Sequence, residues 1–138
     1  MRQAGGELTI ETRGQGLVEI TRRVLDWVDA QGLEMGLLTI FCRHTSASLL
    51  VQENAAREVR SDLEAWIAKV APEGPHYAHD DEGPDDMPAH LRSVLTGVQL
   101  SIPIAGGRPV LGTWQGIYLF EHRRAPHRRR IALHAMGE

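Results

Sequence analysis

The sequence is poor in several features that define special classes of protein. Its single cysteine, Cys42, excludes a disulfide within the chain and is typical of a reducing compartment, so we expect a cytoplasmic protein. Its longest apolar runs, Met35–Cys42 and Ile117–Phe120, are the length of strands, whereas a membrane span needs about 20 apolar residues. The opening residues MRQAGGELTI lack the apolar core of a signal peptide. We therefore expect neither a secreted, disulfide-rich domain nor a membrane partner.

Lysine is nearly absent, because Lys69 is the only one and arginine supplies the rest of the positive charge. Arginine is the residue suited to bidentate contacts with carboxylate or phosphate. The net charge of −3 argues against a nucleic-acid partner. Five acidic residues lie within Asp80–Asp86, and five arginines lie within Glu121–Arg130. These opposite charges indicate a small charged substrate or a self-association surface, with two solvated loops as the alternative.

The 138 residues predict one domain, residues 1–138. Hydrophobic periodicity predicts three helices: Leu17–Ala30, a helix capped by Asn54 and running to Val70, and a short helix over Met87–Leu95 capped by Asp86. Alternating or short, continuously apolar segments predict strands over Glu7–Thr12, Met35–Arg43, Val98–Ile102, Pro109–Arg123 and Arg129–Ala135. Because the chain ends in a meander of hairpins, these elements predict an α+β fold with a largely antiparallel sheet, two main helices and one short helix.

Histidine is the residue type most suggestive of chemistry, with seven in the chain. His44 ends a predicted strand, His79 lies in the polar loop Pro72–Asp86, and His90 lies in the helix that follows. Zinc and related divalent ions bind neutral imidazole nitrogens and carboxylate oxygens. These histidines therefore form a candidate metal site, and the alternative is that each is solvent-facing or satisfied by its neighbours.

Other residues are candidates for binding an anion or a ring. Thr45 and Ser46 follow His44 directly, and adjacent residues on an extended segment point to opposite faces, which disfavours a serine nucleophile with a histidine base. Hydroxyls there are better suited to binding an anion or completing a strand end. Arg13–Gly16 lacks a complete phosphate-loop pattern and is interpreted as a turn. Trp114 lies between two glycines, so it either stacks on a substrate ring or packs against a neighbouring subunit.

Five segments of the chain form a recognisable set: HTSASLLVQEN (44–54), the Tyr77–Asp80 element, DDMPAHL (85–91), the block from Ser101 to Arg123 and the ending RRRI (128–131). Taken together, they resemble the YjbQ-like family, whose members are commonly described as secondary thiamine-phosphate synthase enzymes. The resemblance covers nearly the whole chain. It implies a small α+β fold, a homotrimer, and a histidine-lined site near the subunit boundary that often holds a metal.

The resemblance also implies an activity and roles for residues. The implied reaction joins a hydroxymethylpyrimidine diphosphate to a thiazole phosphate and releases pyrophosphate. The matched positions make His44, His79 and His90 the metal ligands, for a divalent ion that we expect to be zinc, with magnesium as the alternative. The remaining site candidates are Asp86 and Glu121 as catalytic groups, Thr45, Ser46, Trp114, Arg123 and Arg129 as substrate or phosphate contacts, and His122 as a further candidate.

Three functions are compatible with these residues. The first is a metal-dependent transferase of the thiamine-phosphate-synthase type, in which Arg123 and Arg129 hold phosphate and Asp86 or Glu121 acts as a base or orients a histidine. The second is a non-catalytic trimeric protein that binds a metal or a metabolite. The third is a metal-assisted hydrolase of a phosphate ester. A metal with an open coordination position favours catalysis, whereas a closed shell of four protein ligands favours a structural role.

Overall fold

The computed structural model describes all 138 residues as three helices and eight strands, which confirms the α+β class. The helices are α1 (Thr21–Gln31), α2 (Arg57–Val70) and α3 (Asp86–Thr96). The strands are β1 (Arg2–Thr12), β2 (Gly16–Glu19), β3 (Met35–Cys42), β4 (Ala47–Glu53), β5 (Gln99–Ala105), β6 (Arg108–Pro109), β7 (Gln115–Glu121) and β8 (His127–Gly137). None of the helices has the length and apolar character that crossing a bilayer requires.

The strands form two antiparallel sheets that share one main core. The larger sheet has the order β1-β8-β3-β5-β6, and the smaller has the order β2-β7-β4. Strand β3 buries every second side chain, Leu38, Ile40 and Cys42, whereas β7 is buried from Gly116 to Glu121. A strand buried on both faces has a continuous apolar sequence rather than an alternating one, which is why Ile117–Phe120 is apolar without interruption.

The order of the first elements differs from the sequence prediction. The predicted helix Leu17–Ala30 is wrong at its start, because Gly16–Glu19 is a strand that pairs with Tyr118–Glu121 of β7. The helix begins at Thr21. Apolar residues at positions 17 and 20 fit helical spacing as well as they fit a strand, so periodicity alone did not separate the two elements.

Strand β4 (Ala47–Glu53) was not predicted at all. It pairs with β7 along its whole length, Ala47 opposite Glu121 and Glu53 opposite Gln115. Its first three residues are buried and its last four are half-buried, so it has no simple alternation. The long strand predicted over Pro109–Arg123 is likewise divided, because residues 110–114 form a connection between β6 and β7.

The predicted helix caps are each shifted. Asn54 does not cap α2, which begins at Arg57; its side-chain amide donates a hydrogen bond to Oε2 of Glu19 at 2.9 Å instead. Asp85, rather than Asp86, precedes α3, so Asp86 lies in the first turn of that helix. This shift has a consequence for the site, because it places residues 86 and 90 one helical turn apart on the same face.

Candidate functional site

Three side chains converge beside the first turn of α3. Nε2 of His79 lies 2.7 Å from Oδ2 of Asp86, and Nε2 of His90 lies 3.1 Å from the same oxygen. The three potential ligand atoms all lie within 4.8 Å of one another. We call His79, Asp86 and His90 the metal-ligand cluster. It joins two imidazoles and one carboxylate around a single point.

Each element that contributes to this cluster is held by other contacts. Asp86 and His90 occupy positions i and i+4 of α3, which places their side chains on one face of the helix. His79 comes from the loop between α2 and α3. In that loop the Tyr77 hydroxyl donates to the carbonyl oxygen of Pro72 at 2.6 Å. The helix itself is anchored by the Arg92 guanidinium, which donates twice to the carbonyl oxygen of Ala71.

The cluster side chains have outer partners that fix their orientation. Nδ1 of His90 donates to the carbonyl oxygen of Thr45 at 3.0 Å, so Nε2 is the nitrogen that faces Asp86. Nη1 of Arg123 donates to Oδ1 of Asp86 at 2.8 Å, which leaves Oδ2 directed at the two histidines. Metal-ligating histidines generally donate their second ring nitrogen to a carbonyl or carboxylate, and ligating carboxylates are themselves hydrogen-bonded.

The electrostatics of the cluster favour an ionised carboxylate. Burial acts to raise the pKa of Asp86, but the hydrogen bond from His79 and the charges of His90 and Arg123 outweigh it and hold that pKa below its ordinary value. The same hydrogen bond raises the pKa of His79, and Asp81 and Glu82 add to this effect. A carboxylate beside two imidazoles is a donor set that divalent zinc accepts, and it leaves room for further ligands. The residues present therefore fit a divalent metal.

His44 lies outside this cluster. Its Nε2 accepts a hydrogen bond from the backbone N–H of Arg130 at 2.7 Å, so that nitrogen already has a partner within the chain. Burial and the nearby charge of Arg129 lower the pKa of His44, which keeps it neutral. His44 and His90 instead line the same cavity, described below. The structure thus brings together two of the three sequence-predicted ligands and adds Asp86 as the third donor.

Glu121 belongs to a separate, fully buried network. Its carboxylate accepts hydrogen bonds from Nε and Nη2 of Arg129 at 2.8 and 2.5 Å and from the Thr12 hydroxyl at 2.6 Å. Arg129 also donates to the backbone carbonyl and the hydroxyl of Ser46. Burial acts to raise the pKa of Glu121, but the hydrogen bonds from Arg129 and Thr12 outweigh it and lower that pKa. This ion pair fastens β7 and β8 to the segment between β3 and β4.

The two arginines predicted to hold phosphate are both engaged internally. The Arg129 guanidinium hydrogen-bonds to Glu121 and Ser46, as described above. Arg123 donates from Nε to Asp85 at 3.0 Å, from Nη1 to Asp86 and from Nη2 to the carbonyl oxygen of Glu82. Its role is therefore to hold the acidic loop, residues 80–85, and the start of α3 close to the end of β7.

His122 occupies a buried position beside this network. Its Nε2 hydrogen-bonds to the Ser48 hydroxyl at 2.8 Å, and that hydroxyl is 2.5 Å from the Thr96 hydroxyl. Nδ1 of His122 is buried and has no partner. Burial, together with the charge of Arg92, lowers the pKa of His122 to about 3, so the ring is neutral at physiological pH.

A cavity of about 700 Å³ adjoins the metal-ligand cluster. We call it the α3–β3 cavity. Its lining is mostly apolar, with a polar end that includes His90, and it consists of Phe41, Cys42, Arg43, His44, Thr45, His90, Ser93, Val94, Gly97 and Val98. Cavities of roughly 300–1,000 Å³ with few polar groups are typical of small-molecule sites. Trp114 is not part of it; this side chain is 64% exposed and lies just before β7.

Residues 6–138 match the model of a protein family described as UPF0047 protein YjbQ-like. The chain belongs to this family. The UPF0047 protein sll1880 of Synechocystis sp. is 48% identical over 138 residues, which cover 99% of this chain and 94% of that protein. The UPF0047 protein YjbQ of Escherichia coli O157:H7 is 40% identical over 132 residues, which cover 95% of this chain and 96% of that protein.

Solved structures of YjbQ-like proteins have the same fold. A YbjQ-like protein of unknown function from Sulfolobus solfataricus matches with a TM-score of 0.88 at 25% identity, over 99% of this chain and 100% of that chain. A conserved protein of the yjbq/upf0047 family from Clostridium acetobutylicum matches with a TM-score of 0.87 at 34% identity, over 94% of this chain and 98% of that chain. The family resemblance and the fold predicted from it are therefore confirmed.

Sequence reasoning missed several residues that form the site region. Arg43 and Phe41, at the end of β3, line the α3–β3 cavity, as does Val94 of α3. Local periodicity carried no signal for them, because the cavity forms only where the end of β3 meets α3.

Proposed function

We propose that this YjbQ-like protein is a metal-dependent enzyme that acts on phosphorylated small molecules. In this proposal it catalyses the thiamine-phosphate synthase reaction as a secondary activity. The observation that carries the proposal is the metal-ligand cluster. His79, Asp86 and His90 direct three donor atoms at one point, and the carbonyl of Thr45 and the guanidinium of Arg123 orient two of them from behind. Such second contacts are typical of metal sites.

The number of donors favours a catalytic role over a structural one. Structural zinc sites have four protein ligands, whereas catalytic sites have three and keep a position for water or substrate. The cluster offers three donors, two of them partly exposed histidines, so a bound ion would remain accessible to a phosphate oxygen. A divalent ion, zinc or magnesium, supplies Lewis-acid stabilisation of the charge that develops on a departing pyrophosphate.

The remaining residues support this chemistry indirectly. Asp86 acts as a ligand whose charge is maintained by Arg123. Glu121 and Arg129 act as positioning residues, because their buried ion pair holds the Ser46 segment, and Thr45 in that segment orients His90. His44 supplies a neutral ring at the wall of the α3–β3 cavity, where it contacts substrate in our proposal.

We also propose that the protein assembles as a homotrimer. The apolar run Ile117–Phe120 of β7 is buried inside the chain and offers no surface for assembly. The support comes instead from large apolar side chains that remain exposed on α3, on the outer face of β3 and in the connection before β7. They are Met35, Leu37, Leu91, Leu95 and Trp114.

The activity is tested by measuring pyrophosphate release from hydroxymethylpyrimidine diphosphate and thiazole phosphate. We expect release by the zinc- or magnesium-loaded protein and at least a 100-fold loss in His90→Ala. The matched control is His134→Ala, because His134 lies on β8 and its ring hydrogen-bonds to Gln3 rather than to the cluster. Release that is equal in both variants would contradict the proposal, and metal binding without any release would favour the non-catalytic alternative.

A further inference from the structure

The α3–β3 cavity combines an apolar wall with a polar end, and α3 contributes to both. Phe41 and Cys42 of β3, with Val94 of α3 and Val98 after it, give the apolar wall. Phe41 is 42% exposed, on the face of β3 opposite to the buried Leu38, Ile40 and Cys42. An exposed aromatic ring beside a cavity is the surface that a flat, uncharged ring packs against.

The polar end of the cavity connects it to the metal-ligand cluster. His90 belongs to both, because its Nε2 faces Asp86 and its ring lines the cavity. Thr45 also lines the cavity, and its carbonyl oxygen holds the same histidine. A molecule in the cavity is therefore next to His90, which is itself a member of the cluster.

Arg43 gives the polar end a positive charge. Its Nη1 lies 3.0 Å from Oε2 of Glu7, and Nε of Arg130 lies 3.0 Å from the other carboxylate oxygen of the same glutamate. Two guanidinium groups thus share one carboxylate, which leaves a net positive charge at this edge of β3 and β8. Arg43 also pairs with a carboxylate, but its side chain is half-exposed and lines the cavity, whereas Arg123 and Arg129 are mostly buried.

We propose that the α3–β3 cavity binds an uncharged planar ring of the substrate against Phe41 and Val98, while Arg43 contacts an anionic group attached to that ring. This inference rests on the proposed function and assigns the ring and the anionic group of its phosphorylated heteroaromatic substrate to particular residues. It assigns the role of phosphate contact to Arg43, which the sequence did not single out.

The test compares two phosphate monoesters by calorimetry on the zinc-loaded protein. Phenyl phosphate carries a planar ring and methyl phosphate does not. Because burying an aromatic ring removes apolar area from water, we expect phenyl phosphate to bind at least 10-fold more tightly. Equal affinities would overturn the proposal.

Two variants with matched controls show which residues bind the ring and which bind the anionic group. Phe41→Ala removes the ring preference, whereas Leu37→Ala, on the same face of β3 but outside the cavity, retains it. Arg43→Gln weakens both esters about 10-fold, whereas Arg22→Gln on α1, where the side chain is exposed, weakens neither. Loss of the ring preference in Leu37→Ala, or an unchanged affinity in Arg43→Gln, would contradict the assignment.

A neutral probe separates failure of this inference from failure of the proposed function. Titration of 4-aminopyrimidine at pH 8 without metal should shift the backbone amide resonances of Gly97 and Val98 in the wild type and not in Phe41→Ala. If zinc changes the affinity of neither ester, the proposed function fails, yet the amide shifts still decide whether the cavity accepts a ring. Absence of those shifts in the wild type would overturn the inference by itself.

Discussion

Asp86 uses its two carboxylate oxygens for different purposes. Oδ2 faces both histidines of the cluster, and Oδ1 accepts from Arg123. This division explains why a guanidinium expected to hold phosphate is found behind the site instead. At the scale of single residues, the structure thus changes the role of Arg123. The sequence selected it as a phosphate contact, whereas in the structure it holds Asp86 in place.

Removing the Arg123 guanidinium should weaken metal binding without removing a ligand. Loss of an outer partner of a metal ligand typically costs about 10–100-fold in affinity, and we expect that range for Arg123→Gln, measured by competition with a chromophoric zinc chelator. Arg124→Gln is the matched control, because the Arg124 side chain pairs with Glu73 rather than with the cluster. An unchanged zinc affinity in Arg123→Gln would contradict the positioning role.

Glu121 should prove more important for stability than for chemistry. Breaking a buried ion pair by removing one charge costs about 3–5 kcal/mol, so Glu121→Gln should lower the free energy of unfolding by that amount in urea. The double variant Glu121→Leu with Arg129→Met leaves no unpaired charge and should recover much of the loss. If Glu121→Gln is as stable as the wild type, the ion pair is not the support we describe.

His122 should make the protein less stable in mild acid. Its pKa in the folded protein is about 3, below the ordinary value of 6.5, so below pH 6.5 only the unfolded chain gains the proton. Stability should therefore fall as the pH drops from about 6.5 to 3, by up to about 1.4 kcal/mol for each pH unit from this one group. Glu121, whose pKa is lowered, acts in the same direction below about 4.5.

The variant that checks this effect is His122→Gln. Its free energy of unfolding, measured in urea between pH 7 and pH 4, should change less with pH than that of the wild type. His127→Gln serves as the control, since the side chain of His127 is near the surface and hydrogen-bonds only to the carbonyl of Ala125. Parallel pH profiles for His122→Gln and the wild type would show that another group governs acid stability.

At the scale of elements, the sequence predicted strands with an alternating or continuously apolar pattern and missed those without one. The strands around Met35–Cys42 and Gln99–Ala105 alternate, and both predictions hold within one to three residues. Strand β4 (Ala47–Glu53) does not alternate, since it changes from fully to half-buried along its length. Strand β2 (Gly16–Glu19) is too short for its period to be distinguished from the start of α1. Both pair with β7, so only the tertiary structure reveals them.

Like the helices and strands, the candidate site was only partly predictable from the sequence. Histidines 79 and 90 were singled out from residue type and position, and family motifs supported them. The participation of Asp86 as a donor depends on α3 beginning one residue earlier than expected, which the sequence pattern did not resolve. The roles of Arg43 and Phe41 depend on β3 and α3 lying on either side of one cavity. Contacts between distant elements of this kind have no signal in local periodicity.

At the scale of the whole molecule, the exposed apolar surface predicts assembly. Light scattering at micromolar concentration should give the mass of three chains. Leu95→Glu should shift the mass toward one chain, because it places a charge among the exposed apolar residues of α3. Arg22→Glu on α1, away from this surface, should leave the mass unchanged. A wild-type protein with the mass of a single chain would refute the proposed trimer.

The central claim is that this small domain, through α3 and the acidic loop before it, holds a divalent metal. Elemental analysis of purified variants tests it most directly. We predict about one zinc ion per chain in the wild type, in His127→Ala and in His134→Ala, and almost none in His90→Ala, which should remain folded because His90 is only half-buried. His44→Ala should retain the metal, because His44 lies outside the cluster. Full zinc occupancy in His90→Ala would contradict the account.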